Sequence, residues 1–292
     1  MSSWQGKSRG TPLGYRIFVW VLRYLGVQPA YFLLRFVSFY FYLTSWKASK
    51  AIYYLYHKRL GFGRVRSVWS IYKNYYMLGQ SIIDKVVLMS GIPNKFSFHF
   101  DGEEHLREIA ALNRGGILLS AHVGNWDIAG HLFTRLETTI NIVMYDGEHE
   151  QIKKYLEGVT GKRRINVIII KEDLSHIYAI SEAFKRNELV CMHADRFLEG
   201  NKTITAPFLG GEARFPIGPF VLTATFKVPV SFVFALKESP LHYHFFASPI
   251  KDYSNFGKDK VLQAMLEDYT KAIEEKVRQY PLQWYNYFHF WQ

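Results

Sequence analysis

The chain is short of sulfur, of long apolar runs and, over its first third, of acid. Cys191 is the one cysteine in 292 residues, so there is no intramolecular disulfide and no multi-cysteine metal site. It lies within the apolar run Leu189-Val190-Cys191-Met192, where a buried structural thiol is expected rather than a nucleophile, and cytosolic exposure is the natural setting. The longer of two N-terminal apolar runs, Ala30 to Leu43, falls short of the ~20 residues of a comfortable membrane span and carries Arg35. Residues 1–13 are mostly polar and no small-residue cleavage site follows the apolar runs, so no signal peptide is expected. Internal repeats and low-complexity linkers are also missing.

Charge is what the chain does have, and it is uneven. Residues 1–95 hold 14 Lys and Arg against Asp84 alone, whereas the rest of the chain holds 22 against 24 acids. A basic N-terminal third fits nucleic acid or an anionic lipid surface. The runs Ile17–Leu22 and Ala30–Leu43 are too apolar for a nucleic-acid arm, which leaves a helix lying in or dipping into a membrane interface. Each Lys or Arg near an anionic leaflet contributes about 1 kcal/mol, and Lys47, Lys50, Lys58, Arg59, Arg64 and Arg66 follow closely. An ordinary pair of core helices with solvated charges is the plainer alternative.

Periodicity divides the chain at about residue 95. Residues 1–95 read as an N-terminal helical, membrane-associating region, with helices at 14–27, 29–46, 48–60 and 64–90, and residues 96–292 as an α/β domain. In the second part the spacing predicts a strand at 96–100, a helix at 102–113, a strand at 116–121, a helix at 126–136 and a strand at 139–144. A helix at 148–158, a strand at 165–170, a helix at 173–186 and a strand at 188–193 continue the alternation. It ends with a short strand at 203–206, a helix at 217–226, strands at 228–236 and 243–248, and a long helix at 257–279. The fold class is therefore α/β: a mostly parallel central sheet covered by helices.

Two polar clusters follow strands in this layout. His122, Gly124, Asn125 and Asp127 come directly after the strand 116–121. Asn125 can cap the next helix and leave Asp127 in its first turn, where a negative charge is favoured; Gly124 lets the backbone bend until the carboxylate meets the imidazole. A helix-capping His122 beside a solvated Asp127 fits the same residues. Asp195-Arg196 follows the strand 188–193, and because ligands bind beyond the carboxyl ends of parallel strands, both clusters open onto one edge.

Further along, the stretch from Pro207 to Phe220, with Phe215, Pro216, Gly218 and Pro219 among its phenylalanines, prolines and glycines, reads as a rigid apolar wall leading into a helix start at Gly218-Pro219. An acyl chain can lie against it; a well-packed loop is the simpler alternative. Arg163 and Arg164 form a basic turn suited to a phosphate, or merely to solvent. No metal site is expected: His193, His242 and His244 lack further ligand spacing. Ser120 precedes His122 by two residues, but the Gly-x-Ser-x-Gly elbow of a serine hydrolase is missing.

Together these segments resemble the lipid A biosynthesis acyltransferase family, within the lysophospholipid acyltransferase superfamily. His122 and Asp127 match its His-x4-Asp motif, Ala194-Asp195-Arg196 resembles a second block, and Phe208-Leu209-Gly210 with Phe215–Phe220 and Val228-Pro229-Val230 resembles a third. The resemblance also covers Trp4–Gly10 and Pro281–Asn286. Two departures stand out: Asp127 where many members carry Glu, and a C-terminal Tyr287–Trp291 without the usual basic residues.

The resemblance implies transfer of a fatty acyl group from acyl carrier protein or acyl-CoA to a hydroxyl or amine of a lipid acceptor, at the cytoplasmic face of the bacterial inner membrane. It implies no cofactor and no nucleic acid partner. His122 would be the general base and Asp127 would orient it. Arg196, held by Asp195, would face the oxyanion, with the backbone N–H groups of Gly124 and Asn125 as the second choice. A non-catalytic membrane lipid-binding protein and a lipid esterase are the rival readings.

Overall fold

The computed structural model describes residues 12–129, 136, 138–145, 165–171, 173–198 and 200–291. The chain opens with helices α1 (Pro12–Tyr24), α2 (Val27–Thr44), α3 (Trp46–Tyr54) and α4 (Arg64–Met89), with a π turn at Leu55–Arg59 between the last two. Gly26, at φ 86°, separates α1 from α2, and Pro29 sits in the first turn of α2, where its missing N–H costs nothing. No described helix is both long and apolar enough to cross a membrane.

The α/β part follows as β1 (Ser97–Asp101), α5 (Glu103–Ala111), β2 (Gly116–Ser120), a 3-10 turn at Trp126–Ala129, β3 (Ile140–Tyr145) and β4 (Ile165–Ile170). Then come α6 (Ser175–Lys185), β5 (Leu189–His193), β6 (Thr203–Phe208), β7 (Gly211–Pro216), α7 (Gly218–Phe226), β8 (Val230–Ser239), β9 (His242–Ala247), α8 (Lys258–Gln279) and a 3-10 turn at Pro281–Gln283. Seven strands form one sheet in the order β1-β9-β8-β2-β5-β3-β4. Among the described residues of this sheet only the β8–β9 pair is antiparallel; the other pairs are parallel. A mixed α/β molecule with a mostly parallel sheet is what the alternating periodicity predicts.

β2 is the central strand, and all five of its residues are buried, as expected where helices cover both faces of a parallel sheet. A Cβ on Gly116 would meet the Ile109 Cδ1 of α5 at 2.7 Å, so the absent side chain is what lets that helix approach. On the other face α8 buries Val261, Met265, Tyr269, Ile273 and Val277, a repeat of four that forms one stripe along a helix. The main core also takes in Ile52, Leu55, Tyr56, Ile71 and Tyr75 from the helical region. Apolar packing therefore runs continuously across residue 95.

Two local expectations change. Residues 207–216 are not a loop but part of the antiparallel hairpin β6–β7, turned by Leu209 and Gly210 at φ 49° and 72°. Pro207 and the Gly-Gly pair hide the alternation that would have marked two strands. The second concerns the helix expected at 126–136, which begins as a 3-10 turn over Trp126–Ala129; most of its remainder, and all of the one at 148–158, lie outside the described residues.

Candidate active site

β2 and β5 are neighbouring parallel strands, with Ser120 opposite His193. Two residues further along each chain, His122 and Asp195 meet. The Nδ1 of His122 lies 2.7 Å from Oδ1 of Asp195, and the backbone N–H of His122 donates to Oδ2 at 3.0 Å. The His122 carbonyl accepts from the backbone N–H of Tyr285 at 3.1 Å, so the residue is fixed on both sides by its main chain. Asp195 is buried, while the His122 side chain keeps 17% of its surface exposed.

The electrostatics favour an ionised acid beside a reachable base. Burial alone would raise the Asp195 carboxyl, but the charge and hydrogen bond of His122, with Arg196 and His193, overrule it and hold the group below the usual carboxylate range. His193 packs its ring 4.3 Å from that of His122 and 4.8 Å from that of Trp126. Burial, followed by the charge of His122, pushes His193 well below its ordinary value, so it stands as a neutral wall. A carboxylate at Nδ1 selects the tautomer with Nδ1–H and leaves the lone pair on Nε2.

Asp127 does not fill the role its spacing suggested. It forms an ion pair with Lys85 of α4 at 2.9 Å. The short turn sends its side chain toward α4, and the position beside Nδ1 is occupied from β5. Asp195 accepts from His122 through both its oxygens and meets Arg196 through charge. Arg196 donates from Nη2 to the Tyr285 carbonyl at 2.6 Å.

The backbone N–H groups of Gly124 and Asn125 are not an oxyanion hole either, because they donate to the carbonyls of Gln283 and Ala235 at 2.8 and 2.7 Å. Gly124 is required here: at φ 75°, a Cβ would lie 2.0 Å from the Ala235 oxygen. The Asn125 side chain donates to the Ser81 carbonyl and the Tyr243 hydroxyl at 3.0 and 3.2 Å.

Other expected residues fall elsewhere. Phe215 is core, packed against Phe208, Tyr269 and Phe290, and Pro216 is buried as well; neither forms an open acyl-binding wall. Gly218-Pro219 start α7, with Pro in its first turn as expected. Arg163 and Arg164 lie outside the described residues. Ser120 is buried and donates to the Val233 carbonyl at 2.7 Å, which removes it as a nucleophile. Cys191 is partly buried, and burial pushes its thiol up to about 12. A cavity of about 560 Å³ between α2, α4 and the β8–β9 turn is lined by Tyr31, Phe32, Arg35 and Tyr76 among others, and His122 is not part of its wall.

Sequence reasoning missed the contribution of α4. Asn74 donates to the carbonyls of Leu282 and Trp284, the Ser81 hydroxyl shares a hydrogen bond with that of Tyr285 at 2.9 Å, and Lys85 holds Asp127. Positions 74, 81 and 85 recur at i, i+7 and i+11, one face of a helix; that polar stripe was the available signal.

The profile of the family described as bacterial lipid A biosynthesis acyltransferase matches residues 71–291. The chain belongs to that family. The match starts inside α4 and takes in every residue of the site described above. Among curated proteins, the phosphatidylinositol mannoside acyltransferase of Mycobacterium tuberculosis is 26% identical over 119 residues, which are 40% of this chain and 37% of that protein. The matched stretch thus spans little more than a third of that relative's length. Among solved structures, the 1-acyl-sn-glycerophosphate acyltransferase of Thermotoga maritima aligns over 85% of this chain and 97% of its own, at 14% identity and a TM-score of 0.41.

Proposed function

We propose that the protein transfers a fatty acyl group from an acyl thioester, on acyl carrier protein or coenzyme A, to a hydroxyl or amine of a membrane lipid. The reading rests on family membership and on one observation, the 2.7 Å contact between His122 Nδ1 and the buried Asp195 carboxylate. In this scheme Nε2 of His122 takes the proton of the acceptor as its oxygen or nitrogen attacks the thioester carbonyl. The tetrahedral intermediate collapses, expelling the thiolate, which recovers the proton from Nε2. Asp195 keeps the tautomer and stabilises the imidazolium, while Asp127 and Lys85 act as positioning residues by holding the turn against α4.

The carbonyl oxygen becomes negative during attack and needs a fixed positive group. Arg196 remains the candidate: its bond to Tyr285 anchors one arm of a guanidinium that has five N–H donors. The acceptor class is a phosphorylated or sugar-bearing lipid, as the names of the family and of the mycobacterial relative suggest. The cytoplasmic face of the bacterial inner membrane is the proposed site of reaction, because a lipid acceptor and an acyl thioester would meet there.

Purified protein supplied with an acyl thioester and membrane lipid is expected to yield acylated lipid and one free thiol per transfer. His122→Ala should reduce the rate by roughly 10²–10⁴-fold. Release of free fatty acid at the same rate without acceptor would identify a hydrolase, and absence of turnover in the wild type would identify a lipid binder.

A further inference from the structure

The outer edge of the sheet carries a second group of ligating side chains, remote in sequence from the dyad. His99 and Asp101 lie on the edge strand β1, two residues apart and hence on one face. His244 lies on β9 directly opposite His99, with the two rings 4.7 Å apart. Asp101 divides its carboxylate between them: Oδ1 is 3.1 Å from Nε2 of His99, and Oδ2 is 2.9 Å from Nε2 of His244. The ligand atoms of all three residues lie within 4.8 Å of one another.

His244 is held as a ligating histidine must be. Its Nδ1 is 2.9 Å from Oε1 of Glu238, the same oxygen accepts from the Tyr280 hydroxyl at 2.7 Å, and the ring stacks on Phe246 at 3.9 Å. A carboxylate on Nδ1 fixes the proton there and turns the Nε2 lone pair outward, the arrangement of a carboxylate–histidine–metal triad. Nε2 is buried and has no hydrogen-bond partner, although Asp101 Oδ2 stands 2.9 Å away. The buried Nε2 and the carboxylate oxygen thus face each other without a hydrogen bond between them.

We propose that His99, Asp101 and His244 bind a divalent transition metal of the zinc type, with Glu238 as the outer partner of His244 and water in the fourth position. Two imidazoles and one carboxylate suit Zn²⁺, whereas Mg²⁺ and Ca²⁺ favour all-oxygen sets. Tetrahedral bonds of about 2.0–2.2 Å put neighbouring ligand atoms about 3.3–3.6 Å apart, and the three ligand atoms in place lie within 4.8 Å of one another, with Asp101 reaching His99 through Oδ1 and His244 through Oδ2. His99 and Asp101 are 61% and 56% exposed, so they can make the small adjustment and an ion can reach them. β1 has one neighbour in the sheet, β9, and the metal pins this edge strand, and with it the exit from α4, to the body of the sheet.

The test uses untagged full-length protein stripped with a chelator. Titration with Zn²⁺ by calorimetry should show one equivalent bound with micromolar affinity and a raised thermal midpoint. His99→Ala and Asp101→Ala, both at exposed positions where folding should be unaffected, should each weaken binding at least tenfold and abolish the shift in midpoint. His122→Ala serves as the control and should bind as the wild type does. Absence of saturable binding in the wild type, undiminished binding in both edge-strand variants, or loss of binding in His122→Ala would each overturn the assignment.

Discussion

Asp195 spends both carboxylate oxygens on one residue, one on the His122 ring and one on its backbone N–H, so it sets tautomer and ring position together. Its hydrogen bond with His122 and the charge of Arg196 help hold the carboxyl below its ordinary range, and it does not titrate where an imidazole does. Asp195→Asn keeps the shape but offers an amide that can present either a donor or an acceptor to Nδ1; the expected cost is about 10²–10⁴ in kcat with KM little changed. Asp127→Asn breaks a pair that is one-fifth exposed on each side, worth at most about 1 kcal/mol of stability. It should slow turnover at least tenfold less than Asp195→Asn, and steady-state kinetics of the two variants side by side checks the assignment. The motif His-x4-Asp draws attention to His122, but spacing along the chain says nothing about which acid reaches its Nδ1. That was settled by a strand 73 residues away.

Among elements, α4 and β8 make the decisive junction. Asp84 of α4 is buried and accepts hydrogen bonds from Lys237 of β8, Tyr31 of α2 and Tyr243 of β9, while Gln283 clasps the Lys237 backbone through its N–H and carbonyl at 2.9 and 2.7 Å. Burial raises the Asp84 carboxyl and lowers the Lys237 ammonium from their ordinary values, the signature of two ions that are tolerable inside only as a pair. Tyr243 passes the network on to Asn125, next to the turn that carries the site. Lys237→Met therefore strands a buried carboxylate, and urea denaturation should show a loss of about 3–5 kcal/mol. The double variant Lys237→Met with Asp84→Leu should recover much of that loss, since removing both charges removes the desolvation cost. Neither partner was legible beforehand: Lys237 sits at the end of an apolar strand and Asp84 in a helix that reads as basic.

At the scale of the molecule, Asp84 is the single acid of residues 1–95 and it is buried, so the surface this region presents among the described residues carries no carboxylate. The same surface exposes Trp20, Phe32, Phe36, Phe39, Tyr40 and Trp46 by more than half each, a combination suited to an anionic bilayer. Cosedimentation with vesicles containing phosphatidylglycerol is expected, weakening with salt and on pure phosphatidylcholine. Phe36→Glu with Phe39→Glu should reduce binding at least tenfold, and equal binding to neutral vesicles would contradict the electrostatic part of the reading. Taken alone, the sequence determined the order and kind of most of the described elements, though not the hairpin strand Gly211–Pro216, together with the basic apolar N-terminal region and the shared sheet edge of His122 and Asp195. Those features come from periodicity and capping, which depend on residues a few positions apart. Only the tertiary structure decided the partners: Asp195 rather than Asp127 for His122, Lys85 for Asp127, Lys237 for Asp84 and His244 for Asp101. Each of these depends on which strands and helices become neighbours and in what register, and that is fixed by the packing of the whole core.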